Sequence, residues 1–436
     1  MQVAARRPTS EGAVVRLVVV LMLVACTVGW RRGQYFAGSL DPVVAAKGAL
    51  SALALALAFF AAQSGYRRRL GTGSVWMLGV VLGSSVFGAL VHGTLLASGL
   101  VAVRVAVLAA AVFFLLRAST VREAFTSLAL ACGAVGLVAA VTGLPSVVAT
   151  GRLQGGVPPL SPNELALLAA VVVVYVAWRT VLGELGWRLG AVGVVALGIV
   201  WATGSRTALL MLIAALVVMA FHIRRARVGL VVGGLLVGGF GAVITVTTGV
   251  LAGFLERDGT GVSTLESRFI AWDAATRWAE SVWQLVFGGG LSVKIIAVEG
   301  QWWNEQPLDS SWVSLLVQTG LLGLVASAVW VLWVLRGVVQ APRPYRALFV
   351  GLWVFLVGRS LVESGLFDAT PAFLGFFALS LLVEGGSRAR LRDELRPAAM
   401  RPQPHRPVGG PPPVAPEGFP PGGMRSPASP PAVSSS

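Results

Sequence analysis

Seven basic residues of this sequence stand where positive charge needs a reason. Lys47 lies about one turn into an apolar run at 42–62, and Arg104 about two turns into another at 98–117. Arg206 opens a third in the sequence TGSRTALL, Arg152 precedes a fourth, and Arg359 closes one at 345–363. Arg268 and Arg277 fall in the long polar interval 255–308. A cation set toward hydrocarbon costs roughly 2.5–3.5 kcal/mol on insertion scales, so it usually faces a polar cavity and serves a task. Several at one depth imply an anionic ligand, and a guanidinium fork that never deprotonates suits phosphate. Snorkelling to headgroups is the alternative for Lys47, Arg31 and Arg32. Asp309, at the mouth of an apolar run beginning there, is either a proton acceptor or a helix N-cap. Glu305 and Glu266 compete with it for the first role.

The elements that must position these groups are membrane helices. A chain of 436 residues, 56% hydrophobic and 12% charged, with mean hydropathy +0.80, carries more apolar surface than a soluble core could bury. The fold class expected is an all-α polytopic membrane protein. About 20 apolar residues make a span, which predicts about twelve, at 13–30, 42–62, 74–96, 98–117, 124–143, 162–181, 186–203, 206–223, 228–254, 309–336, 345–363 and 366–384. The formal charge of +15 comes from arginine clusters between these runs, the pattern of orientation signals, so nucleic acid is not expected as a partner. Alternate intervals carry Arg67 to Arg69, Arg117 with Arg122, Arg179 with Arg188, Arg224 to Arg227, and Arg336 with Arg343 and Arg346. The positive-inside rule then places both termini in the cytoplasm and 255–308 outside. Cys26 and Cys132 sit within apolar runs and suggest neither a disulfide framework nor a metal site.

Residues 1–396 form the expected membrane domain, and 397–436, with thirteen of the 23 prolines, cannot bury enough surface to fold. Within 255–308, Ser263 and Glu266 make a capping box. Leu265, Phe269, Trp272, Thr276, Ala279 and Trp283 follow at helical spacing, Asp273 and Arg277 form an i,i+4 pair, and Gly288 to Gly290 end the run. An amphipathic helix in the headgroup layer is expected, holding Arg268 at phosphate level. A purely structural interfacial helix is the competing reading.

Four stretches resemble the bacterial O-antigen ligase and polysaccharide polymerase family. They are Ser161-Pro162-Asn163-Glu164-Leu165, Thr203-Gly204-Ser205-Arg206-Thr207, Arg268 with Trp272 before the three glycines, and Asp309-Ser310-Ser311-Trp312 followed by Gln318-Thr319-Gly320-Leu321-Leu322-Gly323. Together they span about residues 145–384. The resemblance implies a GT-C-like fold with one large extracytoplasmic loop, in the bacterial cytoplasmic membrane. It implies transfer of oligosaccharide from a polyprenyl diphosphate to a glycan hydroxyl, without a cofactor. No Asp-x-Asp pair occurs in the outer loops, so no metal is expected. Arg206 and Arg268 would clamp the diphosphate, Asp309 would accept the proton, and Arg104, Lys47, Arg359, Arg152 and Trp272 would bind substrate. The ligases resemble one another in a histidine where Asp309 stands, which favours a polymerase over a ligase acting on a lipid or protein acceptor. A transporter or flippase for a lipid-linked substrate is the reading from another class.

Overall fold

A computed structural model describes residues 10–31, 41–64, 69–222, 264–298 and 305–395. The first part of the chain runs through α1 (Ser10–Thr27), α2 (Pro42–Ser64), α3 (Gly73–His92), α4 (Leu95–Ala118), α5 (Val121–Thr142), the single-turn-and-a-half α6 (Pro145–Thr150), α7 (Pro162–Val181), α8 (Trp187–Ala202) and α9 (Arg206–Ala220). After residues 223–263 come α10 (Thr264–Thr276) and α11 (Val282–Phe287), then a short antiparallel pair, β1 (Ile295–Ala297) and β2 (Glu305–Pro307). The chain closes on α12 (Ser311–Val339), α13 (Arg343–Ser360), α14 (Pro371–Val383) and α15 (Gly385–Leu395).

The protein is an all-α, multi-pass membrane protein, but twelve spans is not what it shows. Among the described residues, α2, α3, α4, α5, α7 and α12 are long and apolar enough to cross a membrane; α14 and α15, which meet at 79°, make a seventh if taken together. The expectation counted apolar runs by composition, and several of those runs make helices that are too short or too charged. The apolar part of α1 and the whole of α8 and α9 have fewer than 18 residues, against about 20 for a bilayer crossing. Helix α13 carries Arg343, Arg346 and Arg359 within 18 residues. The run at 228–254, the Ser263 half of the capping box and the 397–436 tail lie outside the described residues.

Helices that are apolar on every side should sit inside a bundle, and α14 is buried along its whole length, as is α7 from Leu165 to Val176. Charge then sorts the ends of the helices. At one end Arg16 pairs with Glu123 at 3.1 Å, Arg122 and Arg179 both pair with Glu184, and Arg390 donates to the Ser119 carbonyl. There too the Glu384 carboxylate accepts the Gly73 and Ser74 amides that open α3. Residues assigned by the arginine pattern to one side of the membrane thus meet at one end of the helices. The unexplained cations lie at the other.

That second end is shaped by two breaks. The expected amphipathic helix is interrupted between α10 and α11, and small residues make the face that packs inward. Ala271 and Ala275 are buried, with Ile270, Ala274 and Trp278, against Ile296, Val298, Leu308 and Val317, whereas Phe269 is 59% exposed. The alanines permit close approach, and Phe269 of the stripe is left exposed while Trp272 is half-buried. Helix α12 is broken at Gly320, whose φ of +62° only glycine adopts without strain. The carbonyls beside the break are met by the triple glycine and by α3: Gly289 N donates to Val317 O (2.8 Å), Gly290 N to Gln318 O (3.0 Å), and Ser84 Oγ to Thr319 O (2.7 Å). Such substitute partners are what allow a broken helix inside a membrane. They also fix the segment 288–298 against the first turns of α12.

Candidate functional site: a cationic cavity beside a carboxylate cluster

A cavity of about 960 Å³ opens at this end. It is walled by the last residues of α1 with Trp30 and Arg31, the first turns of α2, a stretch of α4 around Arg104, and Glu164 on α7. Lys294, the first turns of α12, and Ser364 to Ala369 complete it. The chain has two lysines, and both line this cavity.

Lys47 and Arg104 are held by the carbonyls left without partners as α1 ends, a position that favours cations. Arg104 Nη2 donates to Cys26 O at 2.5 Å, while its Nε is buried without a partner. Lys47 Nζ donates to Val28 O at 2.8 Å and lies 5.6 Å from the centre of the Trp30 ring. Arg31 pairs with Asp41 at 3.2 Å, and Lys294 pairs with Asp368. Burial pushes Asp368 up, but the Lys294 ammonium and the Ala369 amide outweigh it and leave its carboxyl below the ordinary range. With those two pairs neutral, Glu164 is the remaining acid among the described residues that line the cavity, and its carboxylate also accepts the Ser161 amide at 3.1 Å.

Beside the cavity lies a cluster built around a residue that the sequence did not single out. Glu363 Oε1 accepts from Arg268 Nη2 at 3.1 Å and from Asn163 Nδ2 at 2.7 Å, and its Oε2 lies 3.7 Å from Arg359 Nη2. Arg268 also approaches Asp309, Nε to Oδ2, at 3.6 Å. The Asp309 side chain is 40% exposed, that of Arg268 17% and that of Glu363 12%. Burial pushes the Asp309 carboxyl above the ordinary range; Arg268 opposes the rise and Glu363 adds to it. Leu308 and Ser311, on either side of Asp309, line the cavity.

Arg268, Arg359 and Asp309 are therefore brought together, and Lys47 and Arg104 are brought together, but as two groups. Arg206 is exposed at the first position of α9. Met211 faces Gly358 and Met219 faces Gly351, so α9 runs antiparallel to α13 and Arg206 comes level with its Glu363 end. Arg206 lines neither the cavity nor the set of groups holding Glu363. Arg152 donates from Nε to Thr203 O at 2.8 Å, tying the loop before α7 to the α8–α9 turn. Trp272 is half-buried on α10 with its Nε1 unpartnered, and Arg277 pairs with Asp273 as its spacing predicts. Among the described residues, no three His, Cys, Asp or Glu side chains converge as a metal site would need.

Glu363 was legible as the i+4 partner of Arg359, and Lys294 as one of only two lysines. Asp368 gave no such signal. No protein-family model matches the chain, and no curated protein sequence matches it.

Proposed function

We propose that the protein is a glycosyltransferase of the bacterial cytoplasmic membrane, with both termini cytoplasmic. It transfers oligosaccharide from a polyprenyl-diphosphate donor to a hydroxyl of a glycan acceptor at the outer face, in the manner of a polysaccharide polymerase. One observation carries the reading: Lys47 and Arg104 converge on a cavity lined also by Leu308 and Ser311, which stand on either side of the partly exposed Asp309. In such a transfer the bond from the anomeric carbon to the diphosphate breaks and a bond to the acceptor oxygen forms. Negative charge accumulates on the departing diphosphate, and fixed cations in a site shielded from water stabilise it without reorganising. The acceptor proton passes to Asp309, whose carboxyl burial raises above the ordinary carboxylate range and so makes a stronger base.

The geometry favours a different division of labour from a clamp of Arg206 and Arg268. Arg268 already faces two carboxylates, so its charge is largely answered before any ligand arrives. Arg104 is bonded to a main-chain carbonyl and has no ion pair among the described residues.

The break at Gly320 favours a second reading, a transporter for the same lipid-linked substrate, since interrupted helices mark transport sites. Against it, the carbonyls at this break are turned to Gly289, Gly290 and Ser84. Incubating the purified protein with a polyprenyl-diphosphate oligosaccharide separates the readings. A ladder of lengthened glycans is the polymerase outcome, and one ligated product the ligase outcome. An intact donor that crosses the bilayer of proteoliposomes would be the transporter's.

A further inference from the structure

Glu363 is joined to more of the candidate site than any residue proposed for chemistry, yet its side chain is the less exposed of the two carboxylates. Its carboxylate receives Arg268 and Asn163 and lies against Arg359. Its main-chain carbonyl receives both the amide (3.2 Å) and the hydroxyl (2.8 Å) of Ser311, two residues beyond Asp309. Four segments far apart in sequence, at α7, α10, α12 and the end of α13, are thus gathered on one residue. Two guanidinium groups and two carboxylates balance in charge within the cluster, with the Nε of Arg359 left buried and unpartnered. A balanced buried network is a device for position more than for net stability.

We propose that Glu363 is a positioning residue: by fixing Arg268 on one side and the first turn of α12 on the other, it sets the orientation and protonation of the Asp309 carboxylate. Among the described residues, the charged groups facing Asp309 are Arg268, from α10, and Glu363, with Arg359 behind it. Arg268 then acts through Asp309 and not as a diphosphate clamp.

The catalytic part of this inference rests on the transferase reading, whereas its structural part does not. Two measurements keep them apart: the acid limb of the pH profile for transfer, and an infrared titration of the Asp309 carboxyl in purified protein, identified by its loss in Asp309→Asn. Removing the negative charge in Glu363→Gln should move the Asp309 midpoint down, and removing the positive charge in Arg268→Gln should move it up, each by on the order of one pH unit. The double variant should return toward the wild-type midpoint. The amide of Glu363→Gln keeps the size of the side chain and can still accept from Arg268 and Asn163, which guards the fold. Opposite shifts in the two single variants sustain the inference even if the wild type transfers nothing, in which case the transferase reading alone fails. An Asp309 midpoint unmoved by Glu363→Gln, in folded protein, would overturn it.

Discussion

Lys47 and Arg104, from different helices, grip the same end of α1: Arg104 donates to the carbonyl of Cys26 and Lys47 to that of Val28, two residues on. Each cation thereby has one fixed bond and a face left toward the cavity. Arg104→Ala is expected to lower kcat/KM for a diphosphate-linked donor about 10- to 100-fold, the loss of one or two charge-assisted hydrogen bonds of ~1.5–3 kcal/mol. Arg104→Lys, which keeps the charge but not the fork, should recover part of it. Steady-state kinetics with varied donor are the check, and an unchanged kcat/KM would remove Arg104 from the site.

The raised Asp309 carboxyl makes a prediction of definite sign. A folded-state value above the unfolded one favours the protonated fold, so the contribution is fully present below the ordinary carboxylate range and is lost as pH rises through the folded value. At neutral pH Asp309→Asn should therefore melt higher than wild type, and the advantage should vanish in acid. The same substitution should abolish the acid limb of transfer along with most of the activity. Thermal melts across pH, beside initial rates, test both.

The break in α12 should tolerate no side chain. A Cβ on Gly320 would lie 2.3 Å from the Val286 carbonyl oxygen at a φ of +62°, and an unfavourable left-handed backbone alone costs ~1–3 kcal/mol. Gly320→Ala is expected to lower the melting temperature in detergent and to loosen the 288–298 segment. Cleavage by protease within that segment would report the second effect.

How much of this was legible varies residue by residue. The polytopic character followed from apolar runs, and the sorting of arginines to one end followed from their alternation. Arg268 and Asp309, read from the sequence as a clamp and a proton acceptor within and just after the long polar interval, lie 3.6 Å apart. The number of spans was not legible, since composition does not tell a crossing helix from a short apolar one such as α9 or a charged one such as α13. Nor was Glu363. Its role arises from contacts across 52 to 200 residues of chain, which no local spacing encodes. The stripe of Phe269 and Trp272 marked helical spacing, but the closer-packed face made by the small residues Ala271 and Ala275 was not legible in it.

Sidedness is open to a direct test, because Cys26 and Cys132 are both buried and leave a low labelling background. Single cysteines at the exposed positions Glu305 and Arg392 should differ. An impermeant maleimide applied to intact cells should label Glu305→Cys, and should reach Arg392→Cys only after the membrane is opened. The reverse pattern would place the cavity on the cytoplasmic side.

The most direct measurement is release of polyprenyl diphosphate by purified protein given donor and acceptor, compared between wild type and Lys47→Ala/Arg104→Ala. The wild type should release it in step with a ladder of lengthened glycan, and the double variant, folded and inserted, should release it at least about 100-fold more slowly. Equal release by the two proteins, or a wild type that leaves the donor untouched, would contradict the account.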